Sequence, residues 1–144
     1  MKTLLQILKN KNQKELISIQ PERPVFDALV ILAEYKIGAL AIMQSGKLVG
    51  IFSERDYARE VVLKGRSSKT TQIQDVMTTK IISGKPDDLV ESAMSLMSEK
   101  HIRHLPVLDG DKVLGMLSLG DLVKETIAYQ QSLIKQLESY IQGG

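Results

Sequence analysis

A shift of 65 residues lays positions 16–60 of the chain over positions 81–125 without a gap. Thirteen pairs are identical, among them Ile17/Ile82, Ser18/Ser83, Pro21/Pro86, Val25/Val90, Ala28/Ala93, Ile37/Ile102, Leu40/Leu105, Gly50/Gly115, Ser53/Ser118, Asp56/Asp121 and Glu60/Glu125. Other pairs exchange one apolar residue for another, as in Ile42/Val107 and Leu48/Val113. A solenoid needs at least about three copies to bury its repeating faces. Two copies suit a pseudo-two-fold pair packed face to face. The chain has 144 residues, enough for one compact domain or two small subdomains.

Each copy reads β-α-β-β-α, so the fold class is α/β with small mixed sheets. A short apolar run opens each copy, at 16–19 and 81–83. In the helix that follows, Val25, Leu29, Leu32 and Ala33 share a face in copy one, and Leu89, Ala93, Leu96 and Met97 in copy two. Pro24 suits the first helical position of the first, and Asp87 or Asp88 is placed to cap the second. Two strands come next: 39–43 and 47–52 around Ser45-Gly46, and 105–108 and 112–117 around Asp109-Gly110. A second helix then begins at Ser53 or Ser118.

The join, KGRSSKTTQIQDVMTTK, spans about 64–80, with Gly65 and the serines breaking the helix and Ile73, Val76 and Met77 starting a short new one. After Asp121, the residues Leu122, Val123, Ile127, Leu133, Ile134, Leu137 and Ile141 continue a helical stripe that Gly143-Gly144 ends. A helix of about 20 residues is about 30 Å long, which outruns so small a subdomain and leaves its far half for another chain. The expected boundaries are an N-terminal helical segment at 1–15, repeat one at 16–63, a basic linker and short helix at 64–80, repeat two at 81–127 and a C-terminal helix extension at 128–144.

Composition narrows the function classes. Hydrophobic residues at 43% and charged residues at 25% are an ordinary globular balance, and a net charge of +2 argues weakly for nucleic acid. Aromatic residues at 4% leave little stacking surface for bases. No cysteine is present, so disulfides and thiolate metal sites are excluded. No apolar run approaches the roughly 18–20 residues that span a bilayer. The opening MKTLLQILKNKNQKE has too short an apolar core for a secretory signal and no arginine for a transit peptide, which points to a cytoplasmic protein without nucleic-acid or membrane partners.

The repeated signature is Gly-x-x-Ser-x-x-Asp, in VGIFSERD and LGMLSLGD. Its simplest role is a helix start, with the Ser hydroxyl accepting from the third helical N–H and the acid complementing the positive helix end. Glu or Gln is the usual reciprocal partner, and Asp is shorter, which argues for a further role. A helix N-terminus with a Ser hydroxyl suits phosphate, and a carboxylate can accept two hydrogen bonds from a sugar diol. Together these describe a nucleotide, with the flat base in an apolar slot near Ile17, Ile37, Gly38, Ala39, Ile82 and Ile102.

The repeat, its element order and the Ser-x-x-Asp motifs resemble a pair of cystathionine-β-synthase (CBS) domains, a Bateman module. The VMT run holding Met77 and Thr78, and IRHLPVLD holding Arg103, His104 and Pro106, are also similar to that family. The resemblance covers about residues 10–128, and the linker and tail are similar to small stand-alone pairs. It implies two repeats packed through their sheets, with two clefts binding AMP, ADP, ATP, NAD or S-adenosylmethionine, and no metal. It implies ribose contacts at Asp56 and Asp121, and Ser53 and Ser118 near phosphate. Arg55 in the first motif and Gly120 in the second predict unequal sites. It also implies a homodimer acting as a regulatory sensor through an unknown partner protein or oligomer rearrangement rather than an enzyme; the alternative is a protein-interaction or dimerisation module with empty clefts, in which Ser-x-x-Asp is only a cap.

Other candidates are weaker. His101 and His104, the only histidines, lack further ligands for a metal; His104 beside Arg103 suits phosphate or ribose, or caps the preceding helix. Lys64, Arg66 and Lys69 suit either phosphates or solvent. Met43, Met77, Met94, Met97 and Met116 read as core filler. No Ser/His/acid set is placed for nucleophilic catalysis.

Overall fold

The computed structural model describes residues 1–11 and 15–143. The expected terminator Gly144 and positions 12–14 of the expected N-terminal segment lie outside the described residues. Helix α1 (Leu4–Asn10) opens the chain under a capping box made by Thr3 and Gln6.

The first long helix and the two hairpin strands of each repeat obey the 65-residue shift. The buried positions of α2 (Val25–Tyr35) are Val25, Ala28 and Leu32; those of α4 (Val90–Lys100) are Val90, Ala93 and Met97. Both helices end on a left-handed residue, Lys36 at φ 54° and His101 at φ 56°. β1 (Ser18–Ile19) runs parallel to β2 (Ala39–Gln44), which pairs antiparallel with β3 (Lys47–Ser53), with Leu40 opposite Phe52 and Ala39 opposite Ser53. In repeat two, β4 (His104–Asp109) pairs with β5 (Lys112–Ser118). Buried Gly50 and Phe52 alternate along β3, as Gly115 and Leu117 do along β5.

The second helices differ in length. α3 (Glu54–Asp56) passes into a π-helical stretch, Tyr57–Val62, and stops before Gly65 at φ 67°. α5 (Leu119–Ile141) runs 23 residues. The expected short helix in the join is a 3-10 turn, Ile73–Asp75.

Several local expectations change. Pro24 is the N-cap of α2 rather than its first residue. Neither Asp87 nor Asp88 caps α4: Leu89 is its N-cap, and the Asp88 carboxylate accepts the Lys85 N–H at 2.9 Å, closing a turn one residue too early. The strand expected at 81–83 is reduced to one parallel bridge, Gly84 with Val107. Gly84 stands where repeat one has Ile19 and brings no side chain to the core; fully buried Leu4 packs there instead. Ala33 and Leu89 are exposed rather than part of the buried stripes. Of the five methionines read as core filler, Met97 is fully buried and the others half-buried.

The chain divides into two compact units, Met1–Lys14 with Ser83–Asp109 and Leu114–Gly144, and Glu15–Ile82 with Gly110–Val113. The segment leading into each repeat therefore packs in the unit of the other. In the repeat-one unit the core is Ile19, Val25, Ala28, Leu32, Leu40, Ile42, Phe52 and Val61, joined by Ile73 and Val76 from the join. In the repeat-two unit Leu4 and Ile7 of α1 are buried alongside Val90, Ala93, Met97, Leu105, Val107, Leu117 and Leu122.

These two exchanged segments do matching work. Neither α2 nor α4 has a side-chain N-cap, so their first N–H groups need outside acceptors. Thr71 O takes the Val25 N–H at 2.8 Å, and Lys2 O takes the Val90 N–H at 3.2 Å. Each segment also lays a side chain over a strand glycine. A Cβ on Gly50 would stand 2.5 Å from Met77 Sδ, and one on Gly115 would stand 2.8 Å from Leu8 Cδ2. The repeated glycine thus admits the incoming segment.

Candidate functional site

Both Ser-x-x-Asp turns close as complete capping boxes. The Asp56 N–H bonds to Ser53 Oγ at 3.2 Å, and Asp56 Oδ2 accepts the Ser53 N–H at 2.9 Å and its hydroxyl at 3.0 Å. The Asp121 N–H bonds to Ser118 Oγ at 3.1 Å, and Asp121 Oδ2 accepts the Ser118 N–H at 2.8 Å. Asp is therefore long enough to close the box, and its length gives no argument for a second role. The strand ends directly in the N-cap, so the Ser backbone is extended and its side chain can turn back over the first helical turn.

The boxes leave the carboxylates with acceptor capacity. A carboxylate offers about four lone-pair sites on two oxygens. At Asp56 the second oxygen takes one further bond, from the Thr78 hydroxyl at 3.0 Å. At Asp121 the further contact is again on Oδ2, from Lys11 Nζ at 2.9 Å. Both aspartates are half-buried, so a ligand diol can reach them. Burial pushes the Asp121 carboxyl up. The Ser118 N–H, the Lys11 ammonium and the Ser118 hydroxyl outweigh it and hold the carboxyl below its ordinary value.

The flanking residues expected at the site assemble by repeat. In repeat one, the Glu54 N–H at the helix start bonds to Gly38 O at 3.0 Å, and Ala39 pairs with Ser53 across the sheet. Thr78 forms an antiparallel bridge with Ile51, and Met77 lies over Gly50. Ile37 precedes Gly38 and is half-buried, and Ile17 O accepts the Ala41 N–H in the sheet. Arg55 is exposed on α3. In repeat two, the Leu119 N–H bonds to Arg103 O at 2.8 Å, which brings the Arg103 backbone to the Ser118 turn as Gly38 comes to the Ser53 turn. His104 opens β4 and is half-buried. Pro106 is buried, with its carbonyl on the Gly84 N–H. Ile82 and Ile102 are half-buried.

Lys11 is the residue that sequence reasoning missed. It lies outside the aligned repeat, and no identity links it to the equivalent segment before repeat two. Two of the linker cations have local partners: Lys64 pairs with Glu60 at 2.6 Å, and Lys69 sits 5.3 Å over the Phe26 ring. Among the described residues no three His, Cys, Asp or Glu side chains converge on a metal position, and no helix is long and apolar enough to cross a membrane.

Comparison with known proteins shows the family. The sequence profile described as the CBS domain matches twice, over residues 12–63 and 73–127. The chain is 39% identical over 125 residues to the CBS domain-containing protein CBSX3, mitochondrial, of Arabidopsis thaliana, a match that spans 83% of this chain and 61% of the plant protein. A solved structure of a CBS-domain protein from Burkholderia ambifaria MC40-6 is 44% identical, with a TM-score of 0.85 over 88% of this chain and 95% of that one. The CBS domain pair of protein MJ0100, solved with 5′-methylthioadenosine and S-adenosyl-L-methionine, is 25% identical, with a TM-score of 0.78 over 89% of this chain and 98% of that one.

Proposed function

The chain belongs to the CBS-domain family as a tandem pair, a class of regulatory ligand-binding module, and from that premise we propose that it senses an adenosyl-containing ligand at its two Ser-x-x-Asp turns. The carrying observation is the duplicated turn itself. Each one sets a Ser, unpaired carboxylate capacity and a helix N-terminus at the end of a strand whose glycine another segment covers. The adenosyl ligands of the MJ0100 pair support the ligand class. AMP, ADP, ATP and NAD are the ligands we expect first, with S-adenosylmethionine as the alternative.

The reading is of binding without chemistry, in the cytoplasm, with the output passed to a regulated protein or through oligomer rearrangement. A ligand shifts such an equilibrium only by its differential affinity for two states. The far half of α5 suits the oligomer contact. From 130 to 141 every residue is exposed, and Val123, Ile127, Ile134, Leu137 and Ile141 stand 38%, 50%, 54%, 61% and 80% open to solvent. These five fall on a and d positions of one heptad register, with Ile at a, which favours a parallel two-stranded coiled coil with a second copy.

The test is thermal melting of the protein with AMP, ADP, ATP, NAD, S-adenosylmethionine and 5′-methylthioadenosine in turn. A ligand at 100 times its Kd stabilises by about 2.7 kcal/mol. No shift with any of them refutes the sensor reading. Asp56→Ala and Asp121→Ala should each remove one site, and recovered nucleotide should be chemically unchanged.

A further inference from the structure

The two turns are served by different chemistry at the same two acceptors. In repeat one, Thr78 gives its N–H to Ile51 O at 2.8 Å and its hydroxyl to Asp56 Oδ1 at 3.0 Å. In repeat two, the equivalent acceptors are Met116 O and Asp121, and a single ammonium serves both, with Lys11 Nζ 3.0 Å from Met116 O and 2.9 Å from Asp121 Oδ2. The Thr78 hydroxyl meets the aspartate in one unit and the Lys11 ammonium meets it in the other; position 13, which the 65-residue shift lays over Thr78, lies outside the described residues. That cation comes from the segment outside the repeat, so the difference does not lie in the motif.

We propose that Lys11 is a specificity-determining residue that makes the Asp121 site the phosphate-accepting one, while the Asp56 site, served by Thr78, favours adenosyl ligands without phosphate. This rests on the sensor reading above. The Lys11 and Asp121 side chains are 25% and 27% exposed, so the pair is reachable by a ligand yet shielded enough for its charge to count. An ammonium has three donors. Two go to Met116 O and Asp121 Oδ2, and the third can meet a phosphoryl oxygen. Without Lys11, the Asp121 carboxylate would repel phosphate at the helix N-terminus that otherwise attracts it.

The turns differ in net charge in the same sense. Around Ser53 stand two acids, Glu54 and Asp56, against one base, Arg55. Around Ser118 stand one acid, Asp121, and Lys11, since Leu119 and Gly120 are neutral. The Arg103 backbone also reaches the Ser118 turn, through the Leu119 N–H.

The experiment uses the full chain carrying Asp56→Ala, which keeps the second site alone, and compares AMP with 5′-methylthioadenosine by calorimetry. Adding Lys11→Met should weaken AMP about tenfold and change 5′-methylthioadenosine by less than about twofold, as expected when one charge-assisted contact is lost. Lys11→Arg should restore AMP binding. If Lys11→Met loosens α1, as a lowered melting midpoint would show, Lys11→Gln keeps a neutral donor and should still weaken AMP selectively. Equal weakening of both ligands, or none, overturns the assignment of Lys11. Failure of the unmutated chain to bind AMP, 5′-methylthioadenosine or any other ligand of the melting series overturns the sensor reading and this proposal with it, so the two failures are told apart.

Discussion

Gly50→Ala tests whether the segment before repeat two is seated by the strand glycine. The new methyl would lie 2.5 Å from Met77 Sδ, 3.0 Å from Cγ and 3.1 Å from Cε. Three consecutive atoms of Met77 are crowded, so no single methyl rotation relieves the contact. Overpacking of this kind costs about 1–3 kcal/mol. The Gly50 backbone is ordinary extended strand, so the substitution also recovers about 0.4–1 kcal/mol by restricting the unfolded chain. The net loss should be about 1–2 kcal/mol, seen as a fall of about 0.5–1 M in the urea midpoint for a slope near 2 kcal/mol/M. In a Met77→Ala background the clash is gone, and Gly50→Ala should become neutral or stabilising by about 0.5 kcal/mol. This change of sign is what the contact requires. An equal loss in both backgrounds would show that Met77 does not seat on Gly50.

Three further outcomes are expected. Gly115→Ala should cost less than Gly50→Ala, under about 1 kcal/mol by denaturation, because only Leu8 Cδ2 lies within 3 Å of the new methyl and a rotamer change can move it. Lys36→Gly should raise stability by about 0.5–1 kcal/mol in the same assay, since a left-handed helix cap at φ 54° carries a Cβ penalty there. The Asp121 carboxyl is held below its ordinary value of about 3.9, so its stabilising effect is fully present above that pH and is lost as pH falls through the folded value; the stability gap between wild type and Asp121→Asn should shrink in acid denaturation profiles below about pH 4.

Much of the fold was legible because apolar periodicity and turn chemistry are local. Strands β2 to β5 lie within about a residue of where alternation and the Ser45-Gly46 and Asp109-Gly110 turns put them. The Ser caps were legible for the same reason, since a capping box is closed by residues three apart. The capping of α4 was not. Asp88 looked like a cap by its neighbours, whereas the acceptor for the Val90 N–H is Lys2 O, far away in the chain. The short strand at 81–83 failed similarly, because the core beside Gly84 is filled by Leu4.

By itself, the sequence determined that two like halves exist, that each ends a strand in Gly-x-x-Ser-x-x-Asp, and that α5 outruns its subdomain. Those are properties of pattern and spacing. The tertiary structure alone decided which segment completes which turn. α1 and the join each pack in the unit of the other repeat, and so Asp121 meets an ammonium where Asp56 meets a hydroxyl. The physical reason is that side chains far apart in sequence meet only after the cores have formed, and no repeat register spans Lys11 and Asp121, 110 residues apart. The inequality of the two turns, read from the sequence as a matter of Arg55 against Gly120, is set as much by that distant contact.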